Sequence, residues 1–234
     1  MVNGIQIFGA FLLFIAIAIV WSVWRGNRRA SQMAAMAGQL GYQYRVDGYD
    51  LLAEGLGQVP LFSLSPVSGK VLNVLTAAAG DLPVTVCDYV YSTGASPSNQ
   101  RTYAQTVACF RMPGLQNFTL HPASEEPPHF VAASAAMLAG LGEKFSGDPR
   151  WEMLQGTIQR LGQQGTKFGS YILRGAESFQ PLVGETLEQN AAAHLSIESA
   201  GGWLAIFRAH HKVKPADLPD FIERATALAR LFRL

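Results

Sequence analysis

Charge is scarce in this chain. Only 15% of its 234 residues are Asp, Glu, Lys or Arg, and the formal net charge is +1. A nucleic-acid-binding surface carries a marked basic excess, so nucleic acid is not expected as a partner. Cysteine is scarcer still. The two cysteines, Cys87 and Cys109, cannot make a disulfide framework, and their rarity suits a reducing compartment. Internal repeats and long low-complexity tracts are missing too. Wholesale disorder is excluded from the other side, because 49% of residues are hydrophobic.

Catalytic signatures are also lacking. No G-x-S-x-G, H-E-x-x-H, C-x-x-C or S-x-x-K occurs. Ser68-Gly69-Lys70 invites a phosphate-loop reading, but Leu64 stands where the first Gly belongs and Val71 follows the Lys. Gly55-x-Gly57 has Pro60 in place of a third Gly, with no βαβ unit around it. The five histidines, His121, His129, His194, His210 and His211, pair with no Cys, Asp or Glu at a metal-ligand spacing. No catalytic residue, cofactor or metal is therefore expected.

What the chain does have is one long apolar run. Residues 5–24 read IQIFGAFLLFIAIAIVWSVW and carry no charge. At ~1.5 Å per helical residue, such a run spans a hydrocarbon core of ~30 Å. The preceding MVNG has no Lys or Arg, and the basic residues come afterwards, so an uncleaved anchor is expected rather than a signal peptide. Arg25, Arg28 and Arg29 then predict that the N-terminus faces outward and the remainder lies in the cytoplasm. Trp21 and Trp24 beside those arginines suit an aromatic belt, so all five are candidate membrane-surface residues. Gln6, Gly9, Ala18 and Ser22 are candidate helix-packing positions, thin or polar enough for a neighbouring helix to approach.

The expected organisation is a short outer N-terminus over 1–4, a transmembrane helix over 5–24, and a basic juxtamembrane segment with a short helix over 25–41. One cytoplasmic domain follows over 42–234, an ordinary size for a single core. In the juxtamembrane helix Met33, Met36 or Ala37, and Leu40 share a face, and Gly41 is its C-cap.

The fold class expected is α+β, with antiparallel hairpins packed against helices. Tyr42 and Tyr44 alternate with polar residues, as in an edge strand. Residues 51–64 mix apolar residues with Gly and Pro and read as irregular. Residues 71–76 form a short apolar run. Residues 84–91 and 102–111, rich in Val, Thr and Tyr, make a hairpin around a polar tip. Pairing Tyr89 with Val107 puts Cys87 opposite Cys109, both on the core face with Tyr91. Asp88 then points away, to solvent or a partner.

Short strands are expected over 118–121 and 171–173. Helices are expected over 130–141, around Trp151, Leu154 and Ile158, over 177–183 and over 186–194. Residues 195–198 and 203–209 predict a second hairpin. A closing helix begins at Asp217 and Pro219 and buries Leu218, Phe221 or Ile222, Ala225, Leu228 and Phe232. His210 and His211 run into Lys212 and Lys214. This is a solvated loop or a patch that touches anionic headgroups.

Several short marks occur together: LGY at Leu40, PLF at Pro60, DYVYSTG at Asp88, QTV at Gln105, YILRG at Tyr171 and the closing LPDFIERATALA. With them the chain resembles a family of uncharacterised bacterial proteins, each with one N-terminal membrane helix and one cytoplasmic α+β domain. The resemblance implies a single-pass protein of the bacterial inner membrane, in contact with the lipid bilayer. The function expected is that of a non-catalytic accessory subunit, with other membrane protein subunits as partners, as in a respiratory or photosynthetic assembly. The alternative is a tethered ligand- or lipid-sensing domain, and an enzyme of unrecognised type comes third.

Overall fold

The computed structural model describes residues 4–63, 69–77, 80–93, 100–123, 166–168, 171–175 and 194–233. Within the N-terminal helix it describes the side chains of 11–15 and 26–40. That helix, α1 (Gly4–Leu40), is one unbroken rod of 37 residues. It ends at Gly41, whose φ of +70° is the left-handed stop that an L side chain resists.

Among the described residues nine strands form one antiparallel sheet: β1 (Tyr42–Asp47), β2 (Lys70–Ala77), β3 (Val84–Thr93), β4 (Arg101–Arg111), β5 (Phe118–Pro122), β6 (Thr166–Phe168), β7 (Tyr171–Gly175), β8 (Ser196–Ala200) and β9 (Trp203–Phe207). Their spatial order is β1-β2-β3-β4-β9-β8-β5-β7-β6. The β3–β4 and β8–β9 hairpins meet along β4 and β9, where Val107 faces Phe207. β8 and β9 turn through Gly201 and Gly202, both at positive φ, which suits a tight hairpin turn. Two short helices, α2 (Tyr49–Ala53) and α3 (Pro60–Ser63), flank a 3-10 turn (Leu56–Gln58). The closing helix is α4 (Leu218–Leu231).

Because strand side chains alternate, the sheet has two apolar faces, and each carries its own core. On one face Val86, Ala108, Phe110, Leu120, Ile197, Leu204 and Ile206 pack with Met33 and Ala37 of α1 and with Leu218, Ala225 and Leu228 of α4. On the other, Cys87, Tyr89, Tyr91, Val107, Cys109, Trp203 and Phe207 pack with Leu56, Val59, Leu61 and Phe62. The closing helix buries the stripe its spacing predicts. Asp217 stands at its N-cap without a side-chain cap bond, and Pro219 lies in its first turn.

The expected architecture needs correction. Among the described residues, no helix is long and apolar enough to cross a membrane, so a transmembrane helix over 5–24 is not supported. Nor is there a break between that run and a separate juxtamembrane helix. Both belong to α1, whose C-terminal half lies on the sheet with Met33 and Ala37 fully buried. Among the described residues the rest is mostly one antiparallel sheet with few helices, where a domain of antiparallel hairpins packed with helices was expected.

The first hairpin is present on the expected face but slipped by two residues. Tyr89 faces Gln105, and Cys87 faces Val107, so the cysteines sit diagonally. Sliding by two preserves which side chains share a face, and apolar alternation alone leaves such a slip open. The stretch after β1, expected to be irregular, folds into the two short helices and the 3-10 turn. The helices expected over 130–141, around Trp151, over 177–183 and over 186–194 lie outside the described residues, save for His194 at the end of the last, which is not helical.

Candidate functional site

The most elaborate polar arrangement lies where α1 crosses the sheet. Asp88 in β3 is fully buried on the face that α1 covers. Its position in VTVCDYVY follows from alternation: Val86 and Asp88 share a face, and Cys87 and Tyr89 the other. A bare carboxylate there would be costly, and four donors meet it instead. Arg29 donates from Nε to Oδ2 at 2.6 Å and from Nη2 to Oδ1 at 2.7 Å. Thr106 Oγ1 donates to Oδ1 at 2.9 Å, and Asn73 Nδ2 to Oδ2 at 2.9 Å.

Each partner is placed by its element. Thr106 lies directly opposite Asp88 in the β3–β4 register. Its hydroxyl also accepts from Arg29 Nη2 at 3.2 Å and from the Val213 amide at 3.0 Å. Asn73 sits at a β-bulge in β2, between Leu72 and Leu75, with φ at +51°. Asparagine tolerates that left-handed geometry better than most residues. The Tyr44 hydroxyl donates to its Oδ1 at 2.9 Å. Arg29 Nη1 donates to the Val213 carbonyl at 3.0 Å. One guanidinium therefore ties α1 to β3, β4 and the loop before α4.

Burial pushes the Asp88 carboxyl up. The Arg29 hydrogen bonds and charge, then Asn73 and the Lys212 charge, outweigh it and hold Asp88 below its usual range. Lys212 is pulled below its usual range chiefly by burial; Asp88 opposes that and Arg29 adds to it. The cluster is an ion pair whose bonding capacity is spent inward. Its chemistry is positional, fixing where α1 leaves the sheet.

Beyond that fixed point α1 presents five consecutive apolar side chains to solvent. Phe11, Leu12, Leu13, Phe14 and Ile15 are 59%, 50%, 63%, 70% and 38% exposed. At ~100° per residue, five in a row encircle the helix.

A second buried carboxylate, Glu198 in β8, accepts from the Leu61 amide at 2.6 Å, and its other oxygen lies 3.3 Å from His121 Nε2. It fastens α3 over the sheet, and the Tyr89 hydroxyl does the same by donating to the Phe62 carbonyl at 3.1 Å. Among the described residues no group of three His, Cys, Asp or Glu could hold a metal. A groove of about 460 Å³ is lined by Leu82, Met112, Leu115 and Phe232, among others.

Of the membrane-surface candidates, Arg29 is turned inward to Asp88, while Arg28 is exposed. Trp21, Trp24 and Arg25, and the helix-packing candidates Gln6, Gly9, Ala18 and Ser22, lie on α1 with side chains outside the described residues. Asp88 was expected at solvent or a partner and is instead the centre of the cluster. Thr106, Asn73 and Val213 were not foreseen. The available signal was that Asp88 shares a strand face with Val84 and Val86, since a carboxylate among apolar neighbours demands a cation from elsewhere.

Compared with family models, curated proteins and solved structures, the chain matches none.

Proposed function

We propose that this chain is a non-catalytic accessory subunit of a larger bacterial membrane protein complex, seated on its neighbours through α1. The observation that carries this reading is the exposed sequence Phe11 to Ile15 on a helix locked to the sheet by Arg29 and Asp88. Single exposed apolar residues are ordinary, but a contiguous apolar girdle marks an interaction site. A girdle that faces every direction is satisfied by several neighbours better than by one, as in an assembly. The ion-pair cluster supports the same reading, because a rigid base holds a projecting helix in one direction.

The test is purification of the tagged full chain from native membranes in mild detergent. The expected result is a stoichiometric set of partners with the wild type. Phe11→Ser with Phe14→Ser is expected to lose that set while the sheet domain keeps its unfolding midpoint. A wild-type chain that purifies alone, or a double variant that keeps the full set, overturns the proposal.

A further inference from the structure

Two basic segments far apart in sequence meet at the middle of α1. The Arg29 guanidinium donates to the Val213 carbonyl at 3.0 Å, over a separation of 184 positions. Arg28 is thereby brought to the loop that carries Lys212 and Lys214 on either side of Val213. The backbone fixes that loop firmly. The Thr106 amide donates to the His211 carbonyl at 3.0 Å, the Val213 amide donates to Thr106, and the His210 amide donates to Gln105 Oε1 at 2.9 Å. Arg28, Arg208, His211 and Lys214 are exposed, and Lys212 is half-buried. Neither segment carries an acid, since 26–29 read GNRR and 208–214 read RAHHKVK, and the buried Asp88 beneath them is already paired with Arg29.

We propose that this basic collar, formed by Arg28, Arg208, Lys212 and Lys214 around the point where α1 leaves the sheet, docks on the anionic phosphate headgroups of a lipid surface. The charge pattern selects that occupant. The collar is a handful of cations on a chain of net charge +1, too narrow for the long phosphate track of a nucleic acid. Lys214 is a flexible point charge on an exposed stem, which suits a layer of mobile headgroups better than one fixed partner geometry. Near a negatively charged leaflet each such cation strengthens binding roughly fivefold, and the effect falls with salt. The collar is separate from the apolar girdle of the proposed subunit function and does not rest on it.

The experiment is co-sedimentation of the full chain with phosphatidylcholine vesicles, with and without phosphatidylglycerol. The expected result is tighter partitioning onto the anionic vesicles, with the preference weakening as salt rises. Arg208→Gln and Lys214→Gln should each lower that preference roughly fivefold. Arg224→Gln and Arg230→Gln on the exposed side of α4 should leave it unchanged. Phe11→Ser with Phe14→Ser should lower binding to both vesicle types and spare the preference, so loss of the girdle and loss of the collar read differently. Equal binding to both vesicles overturns the proposal. So does a loss of preference as large in the α4 variants as in the collar variants.

Discussion

Arg29 of α1 and Asp88 of β3, 59 positions apart, grip each other through two parallel hydrogen bonds of 2.6 and 2.7 Å. The arginine side chain keeps 17% of its exposure, and the aspartate keeps none. This asymmetry predicts unequal single substitutions. Arg29→Met strands a fully buried carboxylate and should cost ~3–5 kcal/mol. Asp88→Asn leaves a cation that still reaches some water and should cost less. Replacing both, by Met and Leu, should recover much of the loss, because the desolvation of both charges disappears together. Urea unfolding of the three variants, set as a double-mutant cycle, measures this directly. Equal losses in the two single variants with no recovery in the double would contradict it.

The same pair predicts an acid limb of stability. Asp88 titrates below its usual range in the folded chain, and an unfolded aspartate titrates near ~3.9. A depressed folded pKa stabilises above the unfolded value, and that contribution is lost as pH falls through the folded one. The difference in unfolding free energy between wild type and Asp88→Asn should be flat from pH 7 to about 5 and shrink below about 4. A difference that stays constant to pH 3 would show that the carboxylate does not carry the pair.

Where local rules govern, the sequence is a good guide. The stripe of α4 comes from 3.6-residue spacing, the β8–β9 turn from paired glycines, and the buried face of β3 from alternation. Those signals are written within a few residues of the structure they form. Asp88 shows where that stops. Alternation placed it opposite Cys87 and Tyr89, on a face expected to meet solvent or a partner; that α1 covers this face, and that position 29 pairs with position 88, is written nowhere in the local sequence. Arg29 beside a long apolar run also fits a membrane flank equally well by composition. Only the packing of Met33 and Ala37 on the sheet turns it inward. The β3–β4 register failed for a related reason, since a slip of two residues leaves every side chain on the same face. The girdle at Phe11–Ile15 was visible as part of the apolar run, and its continuity with the sheet-bound half of α1 was not.

The two thiols offer a readout of the inner sheet. Cys87 and Cys109 are free and fully buried, on adjacent strands at diagonal positions. The Cys87 thiol is raised well above its usual range by its hydrogen bond with Cys109, by burial, and by the neighbouring Asp88 charge. Both thiols are shut away from solvent, so both should resist iodoacetamide in the native chain and react fully in urea. The native alkylation rate then reports opening of β3 and β4. A thiol that reacts at once at neutral pH without denaturant would place this part of the sheet at the surface.

Two buried hydroxyls next to the Glu198–His121 pair have no hydrogen-bond partner among the described residues: Thr119 Oγ1 and Ser196 Oγ. Thr119 lies opposite Glu198 in the β5–β8 register, and Ser196 is two positions from Glu198 on the same strand face. A buried unpaired hydroxyl costs on the order of 1–3 kcal/mol relative to a satisfied one. Thr119→Val keeps the side-chain shape, and Ser196→Ala removes a single atom. If the hydroxyls are unpaired in solution, the first should raise the unfolding free energy by about 1 kcal/mol and the second should leave it level or slightly higher. Their effects should add only partly, because both flank Glu198. Glu198→Gln, by contrast, keeps an acceptor for the Leu61 amide but loses its charge toward His121, and should cost more than either. Chemical denaturation of the three variants gives the order. Should Thr119→Val prove destabilising by 1 kcal/mol or more, its hydroxyl has a partner in solution, and the polar floor beneath Glu198 is a bonded network rather than a strain.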